Sequence, residues 1–198
     1  MEIVVVGRSN VGKSSLIRQI TGKKVEVGRR PGVTRGFDKI KLGNDFFLVD
    51  LPGFGYISGL SKGKQDEIKT EIVNYLEENK SNILFAIEVI DSSSFLEIAE
   101  RWQNRNQIPV SVELFSFLKE LELRPIVAAN KIDNLSSSEL DDTLDGICAE
   151  LGISPPWRQW LDIVVPLSAK KGEGIDSLKG LIRERLKESG AENYLRYI

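Results

Sequence analysis

The sequence predicts a three-layer α/β fold: a six-stranded sheet, mostly parallel with one antiparallel edge strand, and helices on both faces. Three observations predict it. Short β-branched runs alternate with stretches whose apolar residues recur at helical spacing, the pattern of a parallel sheet with crossover helices. One strand pair is separated only by Gly43-Asn44-Asp45, a hairpin signal that makes a single antiparallel edge. The composition, 198 residues with 41% hydrophobic and 28% charged, is that of one globular domain with a large core. That domain is expected to span residues 1–198, with roughly the last ten residues as a C-terminal tail.

In chain order, Glu2-Ile3-Val4-Val5-Val6 reads as a buried strand, and Ser14–Ile20 as a helix that Gly22 stops. Lys23–Gly36 lacks periodicity and reads as a polar loop. Phe37–Leu42 alternates like a half-exposed strand, and Phe46–Val49 is its buried partner. After the glycine-rich stretch Gly53–Gly63, Lys64–Lys80 is an amphipathic helix with Ile68, Ile72, Val73, Tyr75 and Leu76 on its apolar side. Ile83–Ile90 is a fourth strand. Asp91–Ile108 is less regular and carries Trp102, and Pro109 opens a helix over Val110–Leu121. Pro125–Ala129 is a fifth strand, and Ser136-x-x-Glu139 is a capping box opening a helix to about Leu151. Trp157 and Trp160 share one face of a short turn, as core or interface residues. Ile163–Leu167 is the sixth strand, and the last helix, Ile175–Lys187, turns Leu178, Leu181, Ile182 and Leu186 inward.

Several function classes are excluded by composition. With no histidine, His-based acid/base chemistry, catalytic triads and His-ligated zinc are absent. The one cysteine, Cys148, cannot form an internal disulfide and falls in a helical pattern as a packing residue. No apolar run approaches the ~20 residues of a membrane span, and the first residues read as a strand instead of a signal peptide, so a cytoplasmic protein without membrane partners is expected. The net charge of −2 is unevenly spread. Between Arg8 and Lys41 ten basic residues face only Glu26 and Asp38, whereas Asp133–Glu150 holds six acids and no base. The basic cluster, with Arg29, Arg30 and Arg35 at its centre, suits either RNA phosphates or a solvated loop that partly neutralises a bound nucleotide.

The chemistry begins at Gly7-Arg8-Ser9-Asn10-Val11-Gly12-Lys13-Ser14, placed between a strand and a helix. That is the context a phosphate-binding loop requires. Its glycines let the backbone curl around an anion, and successive N–H groups with the positive helix end converge on a β-phosphate. Lys13 supplies a charge between β- and γ-phosphates, the Ser14 hydroxyl is a ligand for Mg²⁺, and Ser15 continues the loop into the helix. Asp50-Leu51-Pro52-Gly53 follows a central strand: Asp50 is placed to hold Mg²⁺ through water, and the Gly53 N–H to meet a γ-phosphate. Asn130-Lys131-Ile132-Asp133 decides the base. A carboxylate at Asp133 accepts from both the ring N–H and the exocyclic amino group of guanine, whereas adenine would leave it desolvated and unpaired. Asn130 can steady the loops and reach the base carbonyl or nearby backbone, the Lys131 stem can lie over the ring face, and Ser168-Ala169-Lys170 can offer a backbone N–H to the base oxygen.

Four loops at carboxyl ends of strands, in the order phosphate, switch, Mg²⁺ and base, resemble the G domains of translation-factor-class P-loop GTPases of the TrmE-Era-EngA-EngB-like group. Gly7–Ser14, Arg30-Pro31-Gly32-Val33-Thr34-Arg35 and Asp50-Leu51-Pro52-Gly53-Phe54-Gly55-Tyr56 resemble the EngB (YihA/YsxC) family of ribosome-biogenesis GTP-binding proteins, and the likeness spans nearly the whole chain. It implies a P-loop NTPase G domain that binds GTP and GDP with Mg²⁺. It also implies a switch segment, Gly32, Val33, Thr34, Arg35 and Gly36, in which the Thr34 hydroxyl joins Ser14 on the metal. The catalytic set would be Lys13, Thr34, Gly53 and Asn10, the last either helping to hold K⁺ near the phosphates or making a loop hydrogen bond. Phe54 stands where Ras-like enzymes carry a water-orienting Gln, so intrinsic hydrolysis is expected to be slow. The family's associations extend to a large ribosomal subunit or rRNA-containing precursor and to cell division and septation, and a monomer is expected. A GTP-dependent binding module with negligible hydrolysis is the alternative, and a P-loop kinase is disfavoured by the guanine loop.

Overall fold

The computed structural model describes residues 1–22, 37–54 and 61–198. Six strands, β1 (Glu2–Gly7), β2 (Asp38–Lys41), β3 (Phe47–Asp50), β4 (Ile83–Asp91), β5 (Ile126–Asn130) and β6 (Val164–Pro166), form one sheet in the order β2-β3-β1-β4-β5-β6. β2 pairs antiparallel with β3 and every other pair is parallel. The expected fold class is thus the observed one. Strand order reverses at β1, which pairs Val5 with Asp50 on one side and with Ile87 on the other. In an open α/β sheet such a reversal leaves a crevice beyond the carboxyl ends of the strands.

Alternate strand residues face opposite helix layers, because successive side chains point to opposite sides of a pleated sheet. Ile3, Val5, Phe85, Ile87 and Ala128 pack under α1 (Lys13–Thr21) and α6 (Ile175–Glu188), which contribute Leu16, Ile17, Ile20, Leu178, Ile182 and Leu186. On the other face Val4, Val6, Val49 and Ala86 meet α2 (Lys62–Glu78) and α4 (Val110–Glu120). Ile90, Val127, Ala129 and Val164 meet α3 (Phe95–Gln103) and α5 (Leu140–Glu150). Cys148 is buried in this last cluster, where burial pushes its thiol up to about 11. Trp157 joins the same core, while the half-buried Trp160 donates its indole N–H to Ser154 O at 2.7 Å.

Three segments differ from the sequence reading. Residues 91–108, expected to be irregular, contain α3, whose Phe95 and Ala99 form a buried i,i+4 stripe. It packs closely on α5: a Cβ at Gly146 would lie 2.9 Å from Leu96 Cδ1. The capping box closes one turn early. The Ser136 N–H and hydroxyl both donate to Glu139 Oε2, at 2.9 and 2.5 Å, and the regular helix begins only at Leu140. The expected C-terminal tail is a 3₁₀ helix, Glu192–Tyr197, docked on the β2–β3 hairpin. Tyr194 stacks on Phe46 with ring centroids 4.5 Å apart and donates its hydroxyl to Asp45 Oδ2 at 2.7 Å.

One buried group gives the fold a pH dependence. Glu88, in the middle of β4, is fully buried, neither carboxyl oxygen has a hydrogen-bond partner among the described residues, and burial pushes its pKa well above the usual carboxylate range. A neutral carboxyl is therefore what the core holds. Between the ordinary glutamate range and that raised value the folded chain binds a proton that the unfolded chain has released, so stability falls as pH rises. Unfolding in denaturant at a series of pH values between about 5 and 7 should show this fall in the wild type and a flatter profile in Glu88→Gln. Parallel profiles would show that Glu88 does not titrate this way.

Candidate nucleotide-binding site

β1 delivers the chain into a loop whose backbone only certain residues tolerate. Asn10 has φ 67° and Gly12 φ 100°. At Gly12 space adds a second requirement, because a Cβ there would lie 2.3 Å from Asn130 Nδ2. The Leu16 N–H donates to Gly12 O at 3.0 Å and starts α1, whose first turn carries no acid, so its positive end remains available to an anion. Lys13 Nζ donates to Gly7 O at 3.3 Å, and Ser14 and Ser15 are half-buried in the opening turn.

The residues after β3 are stitched to this loop. The Ser9 N–H donates to Phe54 O at 3.2 Å and the Phe54 N–H to Gly7 O at 3.4 Å. Gly53 lies so close that a Cβ would come within 2.8 Å of Ser9 Oγ. Asp50, 6% exposed, ends β3 beside β1, and Leu51 and Pro52 are buried behind it. The Phe54 side chain, 5% exposed, turns away into the α2–α4 core. Gly32, Val33, Thr34, Arg35 and Gly36 lie outside the described residues, as do Arg29, Arg30, Gly55 and Tyr56.

Asn130, 3% exposed at the end of β5, joins the loops. Its Nδ2 donates to Val11 O at 2.8 Å, and its Oδ1 accepts from the Ala169 N–H at 2.9 Å. Of the backbone N–H groups of Ser168-Ala169-Lys170, one of which is expected from sequence to serve a base oxygen, that of Ala169 serves Asn130 here. Lys131 takes a left-handed φ of 66° and donates from Nζ to Asp91 Oδ2 at 2.6 Å. The Ile132 N–H reaches Leu167 O at 3.3 Å, tying the turn to the end of β6. Asp133 Oδ1 accepts from the Ser168 hydroxyl at 2.7 Å, and Ser168 Oγ accepts in turn from the Lys171 N–H at 3.1 Å. The Ser168 hydrogen bond, helped by its own backbone and by Lys171 and Lys170, holds the Asp133 carboxyl below the usual range. Gly12, Ser15, Asn130, Lys131, Asp133 and Lys170 are among the residues lining the resulting cavity of about 170 Å³.

One participant, Asp91, and one role, that of the Ser168 hydroxyl, go beyond the sequence reading. Asp91, the acid ending β4, fixes the Lys131 ammonium; its position at a strand end was the available signal. The Ser168 hydroxyl orients Asp133, a contact between residues 35 apart that only the fold creates. Among the described residues no group of three or more His, Cys, Asp or Glu side chains could hold a metal, and the hard oxygen donors at Ser14 and Asp50 suit Mg²⁺ in the company of phosphate oxygens.

A loop of phosphate-binding pattern at the switch point of this sheet, joined by Asn130 to the turn after β5, is the arrangement of a P-loop GTPase, and residues 2–131 match a family described as 50S ribosome-binding GTPase. More narrowly, the chain belongs to the EngB family of GTP-binding proteins. It is 51% identical over 198 residues to the probable GTP-binding protein EngB of Methanopyrus kandleri, covering 99% of this chain and 97% of that one. With the Methanosarcina mazei counterpart it shares 46% identity over 100% of this chain and 94% of the other. A crystal structure of a probable GTP-binding protein EngB superposes with a TM-score of 0.86 at 40% identity, covering 95% of this chain and 100% of that chain. The FeoB G domain of Methanococcus jannaschii follows with a TM-score of 0.54 at 26% identity, over 94% of this chain and 97% of its own length. No helix among the described residues is long and apolar enough to cross a membrane.

Removing the Ser168 hydroxyl tests the network directly. In Ser168→Ala the Asp133 carboxylate loses its main stabilising donor, so its titration, followed by NMR of the side-chain carboxyl carbon, should move to higher pH. An unchanged titration would assign the depression to the Asp133 backbone hydrogen bond and to Lys171 and Lys170.

Proposed function

We propose that the chain is a Mg²⁺-dependent switch that binds GTP, hydrolyses it slowly to GDP, and in its GTP form engages the large ribosomal subunit or a precursor of it. The observation that carries the nucleotide reading is the Asn130 side chain, which bonds both the phosphate loop and the Ser168–Lys170 loop and so holds Asp133 at a fixed station from Lys13. In this reading Gly7–Ser15 cradles the phosphates with Arg8, Ser9, Asn10 and Val11 presenting backbone N–H groups, and Asn130–Asp133 with Ser168–Lys170 holds guanine. Ser14 and Asp50 hold Mg²⁺, which when bound offsets the charge on the β- and γ-phosphates. Thr34 completes the metal site and Asn10 the site of a K⁺ ion.

Slow turnover follows from Phe54. Its ring is in the core and carries no donor or acceptor, so the position that would orient water has nothing to orient it with. Unassisted hydrolysis should be on the order of 10⁻⁴ s⁻¹ or below. Support for the ribosomal partner is the family description and the basic cluster at Arg29, Arg30 and Arg35. A cytoplasmic monomer acting in subunit assembly, with the family's link to cell division, completes the reading.

Titrations with GTP, ATP and xanthosine triphosphate test the base assignment. The wild type should select GTP, and Asp133→Asn should lose about two to three orders of magnitude of GTP affinity while gaining xanthosine triphosphate, whose C2 carbonyl accepts from an amide. Equal binding of ATP and GTP by the wild type would sink the proposal.

Sedimentation with large subunits tests the partner. The GTP form should pellet and the GDP form should not, and replacing Arg29, Arg30 and Arg35 with Ala should lower both binding and its salt dependence. Equal binding of the two nucleotide forms would remove the switch from this reading.

A further inference from the structure

A second cavity, about 210 Å³, lies on the other side of Lys131, the one residue it shares with the lining of the guanine cavity. Its floor is the phosphate loop from Arg8 to Val11, and its walls come from the 91–111 segment. Four features of it point to an anion. The half-buried Arg8 guanidinium makes no hydrogen bond or ion pair with any described residue, although burial holds its pKa down and the field of Asp91 opposes this only in part. Asp91 also lines the cavity, but its carboxylate is taken up by the Lys131 ammonium at 2.6 Å and by the Ser93 N–H and hydroxyl at 3.1 and 2.7 Å. The residues opening α3 and α4, Ser94 and Pro109, both line the cavity, and neither helix start has a side-chain cap for its amides. Ser111, 6% exposed, lines it too, with a hydroxyl that has no partner among the described residues. The acids in those first turns are exposed and turned outward: Glu97 pairs with Arg101, and Glu113 with Lys69.

The remaining wall is apolar: Phe95, Ile98, Trp102, Pro109 and Val110. A bare inorganic anion would leave that surface without a counterpart, and a nucleotide is too large for the space. We propose that this cavity binds a small ligand that joins an anionic oxygen group to an aromatic or other apolar body. The anionic group meets Arg8, the Ser111 hydroxyl and the amides that open α3 and α4; the body lies against Phe95, Ile98 and Trp102. A half-buried cation that gains an anion and hydrogen-bond donors that gain an acceptor both favour binding, since each is costly to leave unmet. The site goes beyond the GTP reading and stands without it. Because residues 8–11 form both its floor and the phosphate loop, any effect of such a ligand on nucleotide affinity must be matched by an equal effect of nucleotide on the ligand.

Phenyl phosphate is a suitable probe, with inorganic phosphate and phenol as its two halves. Each is titrated into the full chain, nucleotide-free and loaded with Mg²⁺ and GDP, by calorimetry and by amide NMR; GDP binding is measured separately, so a failure of the GTP reading is visible on its own. The expected result is saturable binding of phenyl phosphate to both forms, with shifts concentrated in residues 91–111 and the Trp102 indole, and about tenfold or weaker binding of either half. In Ile98→Glu the new carboxylate competes for Arg8, and phenyl phosphate affinity should fall about tenfold or more. Should that variant misfold, the wild-type shift map alone decides. Binding abolished by GDP, shifts centred on Gly12–Ser15 and Asp133, inorganic phosphate binding as tightly as phenyl phosphate, or a folded Ile98→Glu chain binding the probe normally would each overturn the proposal.

Discussion

The Asn130 amide is the contact on which the site depends. It offers a donor and an acceptor on one short, buried side chain, and the fold uses both: Nδ2 on Val11 O and Oδ1 on the Ala169 N–H. No other side chain of that length supplies both in a plane. Gly12 is required on the same ground, since the amide stands where a Cβ would go. A buried amide with both ends satisfied rigidifies what it joins, whereas loss of either end leaves a polar group stranded in the interior. The phosphate loop and the base loops, which come from β1, β5 and β6, are thereby held as one body.

The sheet makes that contact possible by placing β1 at the reversal of strand order, so that loops after β3 and β4 approach the phosphate loop from opposite sides. On the β3 side the backbone of Phe54 runs alongside the phosphate loop and exchanges hydrogen bonds with Gly7 and Ser9. The Phe54 ring anchors that run in the apolar core under α2 and α4. On the β4 side Asp91 fixes Lys131, and the pair is partly buried, 17% and 31% exposed at the side chain, which distinguishes it from the open surface pairs elsewhere. The phosphate loop is thus braced by backbone on the β3 flank, and the Asn130–Asp133 turn by an ion pair on the β4 flank.

How far the sequence reveals this depends on the range of the interaction. The phosphate loop, Asp50–Gly53 and Asn130–Asp133 are legible because each is a compact polar motif directly after a β-branched run, and local pattern suffices. Helix α3 was obscured because Asp91-Ser92-Ser93-Ser94 reads as loop, and its charged, exposed face thins the apolar stripe to Phe95 and Ala99. The C-terminal 3₁₀ helix has no local signal. It exists because Tyr194 finds Phe46 and Asp45, residues about 150 positions away that only the hairpin presents. Asp91 with Lys131, and Ser168 with Asp133, are likewise pairings of strand ends, and strand order cannot be read from any one segment. Glu88 is the opposite case, an acid in an apolar run whose burial contradicts its own chemistry.

These elements together explain why α3 matters to the site although it follows no recognised motif. The phosphate loop is fixed through its backbone at Gly7, Ser9 and Val11, which leaves the Arg8 side chain as the part of the loop that backbone bracing does not restrain. That side chain points into the space between the loop and the 91–111 segment, where α3 is held by its contact with α5 at Gly146 and α4 by the core under Phe115. A helix packed on α5 on one side and lining the same cavity as a half-buried arginine on the other adjoins the Gly7–Ser14 loop. Arg8 therefore belongs to the loops that Asn130 ties together, and α3, packed on α5 at Gly146, forms one wall of the space that Arg8 lines.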